Sequence, residues 1–188
     1  MAKSSKPGKM RVRIRPPQAR DRKAFFAAVR RSRRLHGRWV SPPSKPEAFT
    51  GYLKRSRSEA HRGFLVIEQA SRAIVGVISL SSLIRGNLQT AFMGYYGFSP
   101  YDGKGLMQEG IELVLKHAFR KLKLHRIEAN IQPGNLRSIA LARKCGFVHE
   151  GFSRRYLKIR GRWQDHERWA ILSETWRVRN AKGLKPHG

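Results

Sequence analysis

Two glycines one residue apart, Gly103 and Gly105, stand between an alternating apolar run that ends near Phe98 and an amphipathic run that starts at once with Leu106 and Met107. A strand, a short glycine turn and a helix start form an arrangement suited to binding an anion. The first N–H groups of a helix have no partner inside it, and the helix dipole adds partial positive charge there. Glycine lets the backbone come close to an anion with no Cβ in the way. Lys104, between the two glycines, adds a mobile cation. The turn is neither of two familiar phosphate loops. The third glycine of a dinucleotide fingerprint is misplaced, and no Gly-Lys-Ser/Thr follows as in a P-loop.

The periodicity of the rest places this turn in a mixed α/β domain. Arg11-Val-Arg-Ile-Arg15 alternates as a first strand, with Val12 and Ile14 inward. Phe25, Ala28, Val29, Ser32 and Leu35 or His36 recur at helical spacing, which predicts one helix ending near Gly37. Ser44-Lys-Pro-Glu47 has capping-box spacing and predicts the start of a second helix through Phe49, Tyr52 and Leu53. Gly63–Glu68, Ile74–Leu80 and Thr90–Tyr96 read as a three-stranded meander. After the glycine turn, Met107, Ile111, Val114, Ala118 and Leu122 mark a helix, with Glu112 and Lys116 as an outer i,i+4 pair. His125–Ile131 alternates again. Asn135 is the expected N-cap of a short helix ending at Cys145-Gly146. Strands around Phe152–Ile159 and Trp163–Leu172 meet at Arg160-Gly161. The expected organisation is a polar basic tail over residues 1–10, one domain over 11–176 and a polar tail over 177–188.

Composition narrows the setting. The 188 residues hold 40 Lys and Arg against 12 Asp and Glu, a net charge of +28. Such a surface attracts polyanions such as nucleic acid, the ribosome or a phosphorylated small molecule, without choosing among them. A single cysteine, Cys145, excludes an internal disulfide framework and a cysteine zinc cluster, and points to a reducing cytoplasm. Its place before Gly146-Phe147 suggests packing. No metal-ligand cluster, signal peptide or membrane span is legible.

The glycine turn, with Asn135-Leu-Arg-Ser138 and Ala142-Arg-Lys-Cys-Gly-Phe147 at the expected separation, resembles the GNAT superfamily of acyl-CoA-dependent N-acetyltransferases. Within it, His125-Arg-Ile-Glu-Ala-Asn130, Asn135-Leu-Arg-Ser138 and Gly161-Arg-Trp-Gln-Asp165 are most similar to the ribosomal-protein alanine N-acetyltransferase branch. Leu35-His-Gly-Arg-Trp-Val-Ser-Pro-Pro43 resembles that branch's acceptor-side loop.

The resemblance implies a mostly antiparallel sheet splayed into a V, flanked by helices, with acetyl-CoA in the V and no metal. Backbone at Phe98 and Ser99 would hold the pantetheine arm and acyl carbonyl. Amides of Gly103, Lys104, Gly105, Leu106 and Met107 would hold the pyrophosphate, and Asn135 would contact the pantetheine. Lys104, Arg137 and Arg143 are candidates for the adenosine phosphates. Trp39, Tyr95 and Tyr96 are acceptor-side candidates. Ser138 would protonate the leaving thiolate, although a serine there can instead bond its own helix backbone. Glu128, which shares a strand face with Asn130, is the candidate base.

Two departures stand out. Asp102 opens the phosphate motif where an Arg or Gln is usual, and Leu141-Ala142 replaces the usual tyrosine acid. The expected acceptor is a protein N-terminal amine, ribosomal for preference. The alternatives are an RNA- or ribosome-binding protein on the same scaffold and an acetyltransferase for a small amine.

Overall fold

A computed structural model describes residues 10–181 of the chain. Most of the expected N-terminal tail, and residues 182–188, lie outside that range. The strands are β1 (Val12–Arg15), β2 (Arg62–Glu68), β3 (Ile74–Ile84), β4 (Thr90–Gly97), β5 (Arg126–Ile131), β6 (Val148–Ile159) and β7 (Arg162–Leu172). The helices are α1 (Arg22–Arg31), α2 (Arg33–His36), α3 (Pro46–Arg55), α4 (Leu106–Arg120), α5 (Leu136–Lys144) and α6 (Ser173–Ala181). Among the described residues no helix is long and apolar enough to cross a membrane.

The seven strands form one sheet in the order β1-β2-β3-β4-β5-β7-β6, antiparallel except where β4 meets β5. Strand alternation sends successive side chains to opposite faces. One face packs Ile78, Leu80, Ala91, Met93 and Ile127 against Ile111, Val114, Leu115 and Ala118 of α4, and α5 and α6 extend this core through Ile139, Ala142 and Trp176. The other packs Leu65, Ile67, Val77 and Phe98 against Phe25 of α1 and Phe49 and Tyr52 of α3. Each large side chain withdrawn this completely contributes roughly 1.5–3 kcal/mol. Both faces of the central strands are therefore covered, which explains why β2 and β3 read as nearly unbroken apolar runs.

Four local expectations are corrected. The expected first helix breaks at Ser32, whose hydroxyl donates to the Ala28 carbonyl at 2.7 Å while its amide is shared between Ala28 and Val29. Such back-bonding competes with the helix ladder. The capping box at Ser44 does not form. Lys45 takes the N-cap position with no side-chain bond, because Pro46 needs no capped donor and fixes its own φ. Glu112 is paired with Arg179 of α6 instead of Lys116. Burial pushes the Glu112 carboxyl above its ordinary range. Finally, α6 is helical through Ala181 where the polar tail was expected from residue 177, anchored by Trp176 against Phe119 with ring centroids 5.6 Å apart.

Candidate active site

Thr90, Ala91 and Phe92 of β4 pair with Arg126, Ile127 and Glu128 of β5, and there the pairing stops. Beyond that point residues 93–97 stay bonded to β3, and residues 129–131 stay bonded to β7. The two strands diverge into a V. In an antiparallel pair both main-chain groups of a residue point the same way, alternating along the strand. The Phe98 amide donates to Val75 at 2.8 Å, so the even-numbered residues of β4 serve β3. The N–H and C=O groups of Met93, Tyr95 and Gly97 therefore face the V. The expectation for Phe98 and Ser99 is corrected accordingly. The Phe98 amide belongs to Val75, and the Ser99 amide donates to the Ser32 hydroxyl at 2.9 Å.

The anion turn lies at the end of β4. Gly103 and Gly105 have φ of +75° and +76°, in the left-handed region that glycine alone adopts freely. A Cβ at Gly103 would meet nothing within 4 Å, so the space beside the loop is open. The amides of Leu106, Met107 and Gln108 have no acceptor among the described residues, while Glu109 N–H begins the helix ladder on the Gly105 carbonyl. Arg11, which sequence reasoning left as an ordinary strand residue, secures the loop. Its guanidinium donates to the Lys104 carbonyl at 3.0 Å and to Glu109 at 2.6 Å. The only available signal was a charge at the edge of β1, which does not reveal a partner so far along the chain.

Asp102 is engaged by its neighbours. It accepts from the Ser99 hydroxyl at 3.2 Å and lies 4.0 Å from Arg137. Lys104 extends over the Tyr101 ring. Met107 packs inward: its side chain fills the gap above Gly76 and Gly97, which are register partners on β3 and β4.

Helix α5 faces this loop across the V. Asn135 caps it, accepting from the Ser138 amide at 3.3 Å. The Tyr95 hydroxyl crosses from β4 and donates to the Ser138 carbonyl at 2.8 Å. Tyr95 is thus a brace on the α4 face and not a lining of the acceptor side, which corrects one expectation. Burial raises its phenol well above the usual range. The Ser138 hydroxyl makes no hydrogen bond among the described residues, so the alternative in which it bonds its own helix is not realised. Arg137 remains by the loop. Arg143 does not: it stacks over Trp169 at 5.2 Å, roughly 9 Å further along the helix. Cys145 is fully buried, and burial pushes its thiol up.

Glu128 does face the side of the sheet opposite α4, but it is not free. Arg126 donates to one oxygen at 2.9 Å and Arg168 to the other at 3.4 Å. A carboxylate held by two guanidiniums is a positioned charge. Asn130, on the same face, has a buried side-chain oxygen with no partner.

The opposite face is closed by the chain between α2 and α3. Trp39 lies against the turn after β5, its ring 3.1 Å from a Cβ built on Gly134. Arg160, at the tip of the β6–β7 hairpin, donates to the Gly37 carbonyl at 2.7 Å and to the Ser41 hydroxyl at 3.0 Å. Sequence reasoning saw Arg160 only as a turn residue. His36 donates its Nε2–H to the Gly97 carbonyl at 2.9 Å, and burial lowers its pKa. Under Pro42 and Pro43 lies a cavity of about 220 Å³ whose floor includes Tyr96.

Residues 11–148 match the acetyltransferase (GNAT) domain family. The chain belongs to that family. It is similar to the probable N-acetyltransferase YjcK of Bacillus subtilis, with 43% identity over 124 residues, 66% of this chain and 68% of that protein. The ribosomal protein uS5-alanine N-acetyltransferase of Escherichia coli is 34% identical over 113 residues, 60% of this chain and 58% of that enzyme's length. Among solved structures, Mycobacterium smegmatis RimJ in complex with CoA-disulfide superposes with a TM-score of 0.78 at 28% identity, covering 92% of this chain and 89% of that one.

This GNAT chain is an N-acetyltransferase that uses acetyl-CoA, and its residues fit that donor. Free amides at the start of α4, the open space beside Gly103 and the basic side chains of Lys104 and Arg137 suit a diphosphate. The unpaired main chain of Tyr95 and the free amide of Gly97, whose carbonyl is taken by His36, suit an amide-bearing arm.

Proposed function

We propose that the protein acetylates the N-terminal amine of a protein, a ribosomal protein being the leading candidate. One observation carries the choice of amine: Glu128 is tied to Arg126 and Arg168, and no carboxylate lines the acceptor-side cavity. A site without a free strong base favours an amine that loses its proton easily. An α-amine with a pKa near ~8 costs roughly 1.4 kcal/mol to deprotonate at neutral pH, whereas lysine near ~10.4 costs roughly 4.6 kcal/mol. A polyamine would also lack the anionic partners that its charges need. The similarity to the uS5-alanine enzyme supports the same reading.

Acetyl-CoA supplies a thioester whose carbonyl carbon the amine attacks directly, forming C–N and breaking C–S. The amides of Leu106, Met107 and Gln108, with Lys104 and Arg137, hold the diphosphate. Main-chain groups of Tyr95 and Gly97 align the arm and the acyl oxygen, so the barrier falls by positioning. Ser138, fixed by Tyr95 and Asn135, gives its hydroxyl proton to the departing sulfur and recovers one from water. Asn130 faces the amine's side and accepts from its N–H. The proton lost by the amine leaves through water.

The test is mass spectrometry of N-terminal peptides, including a Lys-containing one, incubated with acetyl-CoA and the enzyme. Acetylation of the α-amine is expected. Modification confined to lysine overturns the proposal.

A further inference from the structure

The cavity under Pro42 and Pro43 has a one-sided chemistry. At about 220 Å³ it is too large for a single water, which occupies ~30 Å³, and large enough for a side chain. Its polar lining residues are Ser41, Tyr52, Arg55, Ser56, His61, Arg62 and Ser79, with no Asp or Glu. The Tyr52 hydroxyl is buried beside the Ser56 hydroxyl. Burial pushes its pKa to about 12, so it stays a donor. Asp21, whose charge reaches Tyr52, is already held by both terminal nitrogens of Arg15. Arg55 and Arg62 enter no ion pair among the described residues, although the Arg62 guanidinium donates to the Ser58 and His61 carbonyls. Donors and uncompensated positive charge therefore converge, and the matching ligand is a group that only accepts. An ionised carboxylate is such a group.

Tyr96 connects this cavity to the V, because it belongs to β4 and lines the cavity floor. We propose that the cavity is a subsite for a carboxylate on the acceptor, the side chain of an acidic residue within the first few positions of the N-terminal segment. This rests on the N-terminal acetyltransferase reading. It adds a selection rule to that reading: acidic N-terminal segments are preferred over isosteric neutral or basic ones.

The test is equilibrium binding of three peptides to the full chain saturated with CoA, which cannot react. The peptides carry Glu, Gln or Lys, scanned through positions 2 to 4 after an N-terminal alanine. At one position the Glu peptide is expected to bind at least ~10-fold tighter than its Gln counterpart, with Lys weakest. The Arg55→Gln/Arg62→Gln variant should reduce the Glu preference to less than about threefold, while the single Arg55→Gln variant, which leaves the Arg62 bonds to the Ser58 and His61 carbonyls intact, should reduce it in part. Tyr52→Phe, which removes only the hydroxyl, should reduce it by about threefold.

Equal affinity for Glu and Gln at every position, or a preference that survives in the double variant, overturns the subsite. Free glutamate competing as tightly as the peptide also overturns it, by assigning the cavity to a small molecule. Turnover with acetyl-CoA is read separately. Charge-selective binding with no α-amine acetylation keeps the subsite and overturns the N-terminal acetyltransferase reading.

Discussion

The two sides of the V are built from different materials. On the α4 side the anion cradle is main chain: two glycines at positive φ, the first turn of one helix and the free edge of one strand. On the opposite side the proposed acceptor region is made of side chains from α3, β2, β3, β4, the Pro42-Pro43 segment and the hairpin tip at Arg160. A main-chain site constrains the chain's conformation, so most substitutions within it are tolerated unless they change φ. A side-chain site constrains chemistry, so it can be re-specified without disturbing the cradle. The donor side is therefore common to any acetyl acceptor, and the acceptor side defines this particular protein.

The sharpest way to break that contrast is at Gly105. Valine there must adopt φ near +76° at a cost of roughly 1–2 kcal/mol, and its Cβ would lie 3.2 Å from the Arg11 guanidinium that holds the loop. Together with one lost charge-assisted bond, Gly105→Val should raise the Kd for CoA about 100-fold by calorimetry. Tyr96→Ala, on the other face, should leave CoA binding within about twofold and raise only the acceptor KM. Equal damage to both ligands from either change would remove the division between the two sides.

Ser138 stands where the two sides meet, and its expected effect is smaller. Its hydroxyl supports nothing in the fold, so Ser138→Ala should leave the unfolding temperature unchanged. If it protonates the sulfur, kcat falls on the order of 10²-fold with KM unaltered, and Ser138→Cys, which retains a proton, recovers part of the loss. A kcat within about threefold of the parent removes Ser138 from the chemistry.

The same contrast governs what could be read from the sequence. The meander, the strand–helix–strand unit and the anion turn were legible because each of their parts is written locally, as a period, a glycine or a cap. Asn135 capping α5 and Met107 packing inward are local facts of the same kind. The partners Arg11–Lys104, Ser32–Ser99, Arg160–Gly37 and Glu112–Arg179 were not legible, because chain topology alone brings them together. Tyr95 and Tyr96 show the boundary. Both were offered as acceptor-side residues although strand alternation puts them on opposite faces, and only the paired sheet reveals which one braces α5 and which one lines the cavity. Glu128 was placed on the correct face and given the wrong freedom, since its two arginine partners sit on β5 and β7.

Glu128 offers the next test of the acceptor side. A general base removed from an active site costs roughly 10²–10⁴-fold in rate. Glu128→Gln keeps the shape and loses only the charge that organises Arg126 and Arg168, so kcat/KM should fall by less than about fivefold. A loss above about 100-fold that follows a single ionisation in the pH profile would restore Glu128 as the base and weaken the argument for an easily deprotonated amine.

The smallest effect is expected at His36, where the two sides are joined. Its ring is 5% exposed, packs edge-on against Tyr96 and Phe98, and donates to the Gly97 carbonyl at the lip of the V. Burial lowers its pKa. The neutral ring is therefore favoured in the folded state, and the unfolded chain takes up a proton first as pH falls below ~6.5. The stability contributed by His36 is complete above that value and is lost as pH falls through the folded value. His117 shifts in the same direction, for burial and for the nearby charges of Arg62 and Lys121. The lowered carboxyls of Asp21, Glu150 and Glu174 act in a more acidic range than the histidines. Between pH 7.5 and 5 the two histidines should lower the unfolding temperature, a drop that the raised carboxyl of Glu112 opposes because the folded state takes up its proton first. His36→Gln, which keeps a donor for Gly97 but cannot titrate, should remove part of that drop and leave the His117 share. A pH slope identical in the parent and in His36→Gln would show that the ring is not held neutral, and that the join between the donor and acceptor sides carries no charge-sensitive element.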